Sequence, residues 1–337
     1  MSVLTARHLR FAGRFAAHRL RKLHPFEVQA SVLNACNLHC LYCRCPDEKI
    51  ELLSTDQWLT IIRALGAAGT LRIKFQGGEP TMRPDFAALC AASQAAGIIT
   101  AVVTNGLQFA ARGELFDHLD EVVFSLDSVA PEHTDHMRGE GVHARVVAAI
   151  DLARAQPHLR IFINMVVTAR NLDEIEPMLA FCEARGIGLH AQPMVFGRKY
   201  YNDTARSYAL SEEQIRTMHR RLAAWKRQGR PLMFAAATYE NVLDWTDYGE
   251  LARRGANGSA CMAGRFYIHI EPNGDVHPCG QHGAAFAPKN IARDGFEAAL
   301  THVQRHDCAD CFSAYLNERK ALFALRPAAL LEMARRG

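Results

Sequence analysis

The chain has 337 residues, of which 49% are hydrophobic and 22% are charged, and its formal net charge is +4. These values are typical of a globular protein and exclude disordered, fibrous and disulfide-scaffold classes. A chain of this length favours about two domains and buries a core that is stable without covalent cross-links. The composition therefore leaves the role of its ten cysteines to be explained.

The net positive charge lies at the N-terminus. Residues 1–26 contain six Lys and Arg residues and no Asp or Glu, so the rest of the chain is nearly neutral, which argues against a nucleic-acid partner. We predict that residues 1–26 form a separate segment built on a basic amphipathic helix. Packing against the rest of the protein is its expected role, with peripheral contact to an anionic membrane as the alternative.

The sequence also predicts a cellular compartment. No apolar run approaches the ~20 residues needed to span a bilayer, and the N-terminus lacks the apolar core of a secretory signal. We therefore expect a cytoplasmic protein. In a reducing compartment, clustered cysteines indicate metal sites or catalysts rather than disulfides.

Six short apolar runs alternate with five helical patterns between residues 27 and 195. This alternation predicts βαβ units and a parallel sheet, and the largely apolar runs are typical of strands covered by helices. The predicted strands cover residues 28–33, 71–76, 98–104, 121–126, 160–167 and 188–193. The predicted helices cover residues 55–67, 84–96, 108–118, 143–156 and 172–185.

The alternation stops after residue 193. Residues 196–258 are predicted to form a helical connector, with helices at 211–228 and 239–253. Residues 259–337 are predicted to form a small α+β domain. It has a hairpin of strands 266–271 and 276–279, turned at Asn273-Gly274, and helices at 294–305 and 312–335.

Three cysteines follow the first predicted strand in the pattern C-x3-C-x2-C, namely Cys36, Cys40 and Cys43. Three thiolates packed into eight residues can hold one side of an iron–sulfur cube and leave one iron open to another ligand. The alternative is structural zinc, which usually has four ligands in paired C-x2-C or Cys/His form. His39 would then be a candidate fourth ligand.

Further motifs follow the later predicted strands in order. They are Gly77-Gly-Glu-Pro80, Thr104-Asn-Gly106, Ser125-Leu-Asp127, Arg138-Gly139 and, on the fifth strand, Asn164. Together with the three cysteines, this set resembles the radical SAM superfamily over about residues 27–195. The resemblance implies a partial (βα)6 TIM-like barrel, followed here by the small α+β domain. Ligands of parallel sheets bind at the carboxyl ends of the strands, where all these motifs fall.

The resemblance also implies cofactors and their ligands. Cys36, Cys40 and Cys43 would hold a [4Fe–4S] cluster that binds S-adenosylmethionine, and a flavodoxin- or ferredoxin-like donor would supply the electron that cleaves it to a 5′-deoxyadenosyl radical. The sixth strand departs from the G-x-I-x-G-x-x-E pattern of some members. The expected S-adenosylmethionine contacts are Gly77, Gly78, Glu79, Pro80, Thr104, Asn105, Ser125, Asp127, Arg138, Asn164 and Gln192.

Four further cysteines lie in the C-terminal region: Cys261, Cys279, Cys308 and Cys311. Two flank the predicted hairpin and two form a C-x2-C pair after a helix, a layout shared with zinc ribbons. The arrangement also resembles the SPASM/twitch extension of radical SAM enzymes. That resemblance implies a second, auxiliary [4Fe–4S] cluster that transfers electrons. Replacement of one thiolate by His277 or His282 is the alternative.

The three remaining cysteines have other interpretations. Cys90 and Cys182 lie on apolar faces of predicted helices and are expected to be core residues. Cys45 lies two residues after Cys43. We interpret it as a loop residue, with a hydrogen-atom donor or a substitute cluster ligand as alternatives.

The predicted function is hydrogen abstraction from a small biosynthetic intermediate by a monomeric enzyme. Only 35 residues precede Cys36, too few for a fused peptide-recognition domain of ~80 residues, so modification of a ribosomal peptide is the alternative. A two-cluster electron carrier without S-adenosylmethionine chemistry is the alternative from another class, and it has little use for residues 77–80. The predicted substrate contacts are Gln192, Arg198, Lys199 and Tyr239.

Overall fold

A computed structural model describes residues 13, 25–194, 203–248, 252–254, 261–280 and 286–336. The predicted N-terminal helix lies outside the described residues except for Gly13. Arg198, Lys199 and His282 also lie outside them. Among the described helices, none is long and apolar enough to cross a membrane.

Six parallel strands form the centre of the fold, in the order of the sequence. They are β1 (Glu27–Ser31), β2 (Arg72–Gln76), β3 (Ile99–Thr104), β4 (Glu121–Ser125), β5 (Arg160–Val167) and β6 (Gly188–Pro193). The connecting helices are α1 (Thr55–Ala67), α2 (Phe86–Ala95), α3 (Pro131–Arg138), α4 (Val142–Arg154) and α5 (Ile175–Arg185). The predicted mixed α/β fold with a parallel sheet is confirmed.

The two faces of this sheet differ in chemistry, because successive side chains of a strand point to opposite faces. Val28 and Ala30 on β1, like Ile73 on β2, belong to the main hydrophobic core, together with the fully buried Trp58 of α1. The opposite face, called the inner face below, carries Gln29 and other polar side chains. The helices therefore cover one face, and the inner face is free to form a polar site.

The C-terminal strands continue the same sheet across the predicted domain boundary. Strand β8 (Tyr267–Ile270) pairs parallel with β1, and β9 (Asp275–His277) pairs antiparallel with β8 as the predicted hairpin. Strand β10 (Lys289–Asn290) then pairs with β9. In the part of the chain that the structure describes, the sheet thus has nine strands, and the last three extend it beyond β1.

Helices complete the region after β6. They are α6 (Glu212–Arg227), α7 (Ala236–Asn241), α8 (Phe296–Val303), α9 (Ala314–Phe323) and α10 (Pro327–Arg336). Helix α6 begins where the sequence predicts, because Ser211 and Gln214 form a reciprocal capping box.

Several predicted elements were wrong. Residues 108–118 contain a 3-10 helix at Gly113–His118 in place of an α-helix, and α3 was not predicted. The helix predicted over 239–253 is shorter, and part of that segment is strand β7 (Ala252–Arg254), which pairs with β11 (Cys308–Cys311). The predicted helix 312–335 is two helices, because Leu325 adopts φ 58° before Pro327 begins α10.

Candidate active site

The first three cysteines lie together in the loop that follows β1. Each thiol is half-buried. Cys43 raises the pKa of Cys36 and of Cys40, and Cys36 also raises that of Cys40, so the three sulfur atoms are close in space. Burial is the largest cause of the raised pKa values of Cys36 and Cys43, and it raises that of Cys40 to about 11. The loop has therefore gathered three donors that a metal cluster would deprotonate.

The loop after β2 presses against this cysteine loop. The amide of Gly78 donates to the carbonyl of Leu33 (2.8 Å), and that of Glu79 donates to the carbonyl of Ala35 (2.9 Å). A Cβ atom at Gly77 or Gly78 would come within 3.0 Å of these backbone oxygens, and Gly77 has φ +140°. Only glycine fits this close approach, which explains the predicted Gly-Gly pair physically.

The carboxylate of Glu79 links the loops after β2 and β3. It is buried, and it accepts hydrogen bonds from the hydroxyls of Thr81 (2.6 Å) and Thr104 (2.7 Å) and from the amide of Asn105 (2.7 Å). Burial raises its pKa, although these hydrogen bonds oppose the rise. The oxygens of Glu79 are therefore used within the protein, and they hold Thr104 and Asn105 in place.

Asn105 extends this chain of contacts to the cysteines. Its side-chain amide donates to Oδ1 of Asn37 (2.7 Å) and lies 3.8 Å from the sulfur of Cys36. Because Asn105 follows β3, the loops after three neighbouring strands are joined around one point. The motifs separated in sequence at 36–43, 77–80 and 104–106 thus form one site.

On the other side of the cysteine loop, Asp127 forms a buried ion pair. It accepts hydrogen bonds from Arg138 (2.7 and 2.9 Å), from the hydroxyl of Tyr42 (3.1 Å) and from the amide of Val166 (3.0 Å). Tyr42 lies between two of the cysteines. Arg138 ends α3, so the helix that was not predicted supplies one half of the pair and braces the cysteine loop.

Three predicted contacts line the inner face at the carboxyl ends of β4 to β6. Ser125 is paired in register with Asn164, and the side-chain amide of Gln192 donates to Oδ1 of Asn164 (3.1 Å). All three side chains are half-buried. They are therefore polar groups that water reaches. The two carboxylates of the site, Glu79 and Asp127, are already hydrogen-bonded within the protein.

The second set of four cysteines is also brought together. The neighbouring thiol of Cys308 lowers the pKa of Cys261 to about 7, while Cys279 and Cys311 raise the pKa of Cys308. Cys261, Cys279 and Cys311 pack in one small cluster with Tyr267 and other apolar groups. The pairing of β7 with β11, which the sequence did not predict, places Cys308 and Cys311.

The donor sets fit iron–sulfur clusters. In the part of the chain that the structure describes, no three His, Cys, Asp or Glu side chains are placed as ligands of one metal ion. A cubane cluster makes a different demand, because each cysteine binds its own iron atom. Three gathered thiols and four gathered thiols meet that demand. His277, the alternative ligand of the second site, packs its imidazole against the ring of Phe286, with 6.3 Å between the ring centroids.

The remaining cysteines and one predicted contact have packing roles. Cys90 and Cys182 are fully buried in the hydrophobic core, as expected. Cys45 is buried and lies 3.7 Å from Oδ1 of Asn34, to which it donates. Tyr239, a predicted substrate contact, is fully buried on α7 beside Phe234 and is a core residue.

Sequence reasoning missed a row of polar residues deeper on the inner face. Gln29 bonds to the side chains of Gln76 and Tyr267, and Ser31 lies 3.3 Å from a ring nitrogen of His269. The available signal was a polar residue at every second position of β1 and β2, within runs that we treated as largely apolar.

Comparison with known proteins places this site in a family. Residues 30–182 match the family described as the radical SAM superfamily. Mycofactocin maturase MftC of Mycobacterium ulcerans (strain Agy99) is 30% identical over 276 residues, which cover 78% of this chain and 71% of the relative. PqqA peptide cyclase of Rhizobium meliloti (strain 1021) is 27% identical over 307 residues, covering 88% and 78%.

Solved structures show the same fold. Streptococcus suis SuiB bound to S-adenosylmethionine matches with a TM-score of 0.64 at 19% identity, covering 88% of this chain and 71% of that one. Native anSMEcpe with bound AdoMet matches with a TM-score of 0.64 at 14% identity, covering 92% and 100%. The predicted partial TIM-like barrel is confirmed.

The chain belongs to the radical SAM superfamily. It is a radical SAM enzyme, and its cofactors are S-adenosylmethionine and the [4Fe–4S] cluster that the family uses. This membership argues against the alternative of an electron carrier without S-adenosylmethionine chemistry.

Proposed function

We propose that this enzyme modifies a peptide by radical chemistry. The observation that carries the proposal is the similarity to a maturase, MftC, and to a peptide cyclase over more than three quarters of the chain. SuiB bound to its precursor peptide SuiA also shares the fold. These relatives favour the peptide alternative over the small biosynthetic intermediate that the sequence led us to expect.

The first cysteine set is the proposed reaction centre. Cys36, Cys40 and Cys43 would hold the [4Fe–4S] cluster, which together with S-adenosylmethionine supplies a 5′-deoxyadenosyl radical. The loop at Gly77–Pro80 forms the border of the proposed S-adenosylmethionine site. Because its glycines bring backbone close to the cysteine loop, their amides and the cluster ligands stay at a fixed separation.

The other predicted contacts divide into two groups by their burial. Ser125, Asn164 and Gln192 are half-buried and are the proposed side-chain contacts of S-adenosylmethionine. The second group has its polar atoms bonded within the protein and is proposed to position the cysteine loop and the neighbouring loops. It comprises Glu79, Thr104, Asn105, Asp127 and Arg138.

We propose that Cys261, Cys279, Cys308 and Cys311 hold the auxiliary [4Fe–4S] cluster. Four thiols occupy all protein-ligand positions of a cubane, so the role of the site would be electron exchange rather than substrate binding. Its placement supports this role, since Tyr267 joins the cysteines to Gln29 on the inner face. A zinc site is the competing outcome, and metal analysis distinguishes the two.

The partners are predictions that follow from this function. They are a flavodoxin- or ferredoxin-like electron donor and a peptide substrate. A monomeric state, a cytoplasmic location and peripheral membrane contact through residues 1–26 also remain predictions.

Anaerobic reconstitution tests the proposed function. We expect the reconstituted protein, reduced with dithionite, to convert S-adenosylmethionine into 5′-deoxyadenosine, and Cys40→Ala to form none. When an extract from cells grown on deuterated amino acids is added, deuterium should be transferred into 5′-deoxyadenosine if a peptide is the hydrogen donor. Label found only with the small-molecule fraction of the extract would contradict the peptide proposal and favour a small intermediate.

A further inference from the structure

Below the proposed active site, the inner face carries a buried network of charges. Glu27 accepts two hydrogen bonds of 3.1 Å from the guanidinium of Arg319 and one from the hydroxyl of Tyr315. Glu121 forms ion pairs with one arginine of β2 and one of β5. Both carboxylates are therefore already paired with cations of the protein.

Lys74 differs from the other charged members of this network. Its side chain is 8% exposed, and Nζ lies 3.9 Å from the centre of the Tyr315 ring. In the described part of the chain, Nζ has no hydrogen-bond acceptor and no carboxylate within 4.0 Å. The amine therefore lies against a ring face, and the carboxylates of Glu27 and Glu121 act on it only from beyond 4.0 Å.

Burial of the Lys74 amine costs free energy, and a bound anion can remove that cost. A buried ammonium group without an anion is unfavourable, and burial lowers the pKa of Lys74 to about 7, with Arg72 and Arg319 acting in the same direction. Glu27 acts in the opposite direction, but its oxygens are held by Arg319 and Tyr315. An incoming anion would supply the missing partner.

Lys74 lies on the same face of the sheet as the proposed active site. It is paired in register with Gln29, and its side chain lies on the same face as that of Gln76, which ends β2 next to the Gly77 loop. Gln29 and Gln76 are half-buried, like Asn164 across the barrel. Gln29 lies at the level of Lys74 and Gln76 lies one step nearer the Gly77 loop, so the inner face is only half-buried between Lys74 and the proposed S-adenosylmethionine site.

We propose that Lys74 is a binding site for a carboxylate of the substrate at the floor of the barrel. The inference rests on the proposed peptide substrate, whose carboxylates come from Asp and Glu side chains or from its C-terminus. The carboxylate and Nζ form a charge-assisted pair at a position where Lys74 is only 8% exposed. The Tyr315 ring supports the charged amine from the other side.

Binding is expected to depend on pH. Above a pH of about 7 the amine is neutral, so it must take up a proton to pair with the carboxylate, and affinity falls by about tenfold per pH unit. The other charged and titratable groups that face Lys74 are Glu27, Arg72, Glu121, Tyr315 and Arg319. The pKa of Glu27 lies far below neutrality and that of Tyr315 far above it, so neither changes charge in this range.

Competitive acylation of the wild-type holoenzyme tests the proposal. Three probes are compared by mass spectrometry of Lys74: N-acetylglutamic acid α-amide, N-acetylalanine and the uncharged N-acetylglutamine α-amide. We expect a carboxylate probe to slow acylation of Lys74 several-fold at pH 7, with less protection at pH 9, and to leave the exposed Lys289 unaffected. Protection by the first probe indicates a side-chain carboxylate, and protection by the second indicates a C-terminus.

Two outcomes would overturn the proposal: no acylation of Lys74 in the folded enzyme, or equal protection by the uncharged probe. Calorimetric binding of the effective probe should be lost in Lys74→Met and retained in Lys74→Arg, whereas a purely structural role predicts no such difference. Formation of 5′-deoxyadenosine in the same samples tests the proposed function separately. Protection of Lys74 without formation of 5′-deoxyadenosine would support the carboxylate site and contradict the proposed function.

Discussion

The two cysteine sites of this molecule are held by different means. The first is a loop after β1, braced from one side by the Gly77–Pro80 loop and from the other by the ion pair of Asp127 with Arg138. The second is built on the short strands β7 and β11, and its thiols contact one another. Three thiols held by neighbours leave a position for a ligand, whereas four thiols held together do not.

The largest expected effect is the separate loss of either cluster. Cys40→Ala should abolish 5′-deoxyadenosine formation. The double variant Cys308→Ala/Cys311→Ala should bind about four fewer iron atoms and still cleave S-adenosylmethionine. Iron analysis and product quantification measure both effects, with the core variant Cys182→Ala as the control for loss of a thiol. Zinc at the second site, or unchanged iron, would refute the two-cluster assignment.

The ion pair that braces only the first site gives the next largest effect. Asp127→Asn leaves the buried Arg138 without its anion, which costs about 3–5 kcal/mol. We expect this loss in urea unfolding, with weaker cluster binding at the first site and unchanged iron at the second. Glu183→Gln, which breaks the exposed pair with Arg230, is the matched control and should cost under about 1 kcal/mol. Equal losses in the two variants would show that the buried pair braces nothing.

A fall in pH should first destabilise the helices that pack beside the second site. Burial lowers the pKa of His219 on α6 to about 4, and α6 packs through Tyr239 of α7 toward α9. Because the unfolded histidine titrates near 6.5, its contribution is complete above that pH and is lost as the pH falls toward 4. We expect about 2 kcal/mol less stability at pH 5 than at pH 7 from this group.

Urea unfolding of His219→Gln measures this contribution, since the amide can replace the bond to the carbonyl of Ile215 but cannot be protonated. The pH dependence should become shallower in this variant and remain unchanged in His136→Gln, where the side chain is exposed. If the unfolding free energy changes equally with pH in the wild type and in both variants, His219 is not the source of the pH dependence.

The contrast between the sites also explains which features the sequence predicts. The ligands of the first site follow strands with strong local patterns, so their spacing predicts both the fold and the site. Helix α3 was missed because Pro131–Arg138 has almost no apolar face, and its role depends on the pairing of Arg138 with Asp127. Strands β7 and β11 are three and four residues long and form only against each other. Lys74 was missed because its meaning depends on the ring of Tyr315, more than two hundred residues away.

The smallest expected effect concerns the contact between the two loops of the first site. Gly78→Ala places a Cβ within 3.0 Å of the backbone oxygens of Asn34 and Ala35, which cannot rotate away. Overpacking of this kind costs about 1–3 kcal/mol. If the Gly77–Pro80 loop borders S-adenosylmethionine, part of that cost appears as weaker binding, by about tenfold. The second site, which shares none of these contacts, should keep its iron.

Equilibrium binding of S-adenosylmethionine to the reconstituted variant measures this effect. Gly113→Ala is the matched control, because a Cβ there meets no atom within 4 Å, and it should leave the affinity unchanged. A Gly78→Ala protein that binds as tightly as the wild type would show that the two loops can separate without loss. The first site would then be held by the hydrogen bonds of Asn105 and by the ion pair of Asp127, and the contrast with the self-contained second site would sharpen.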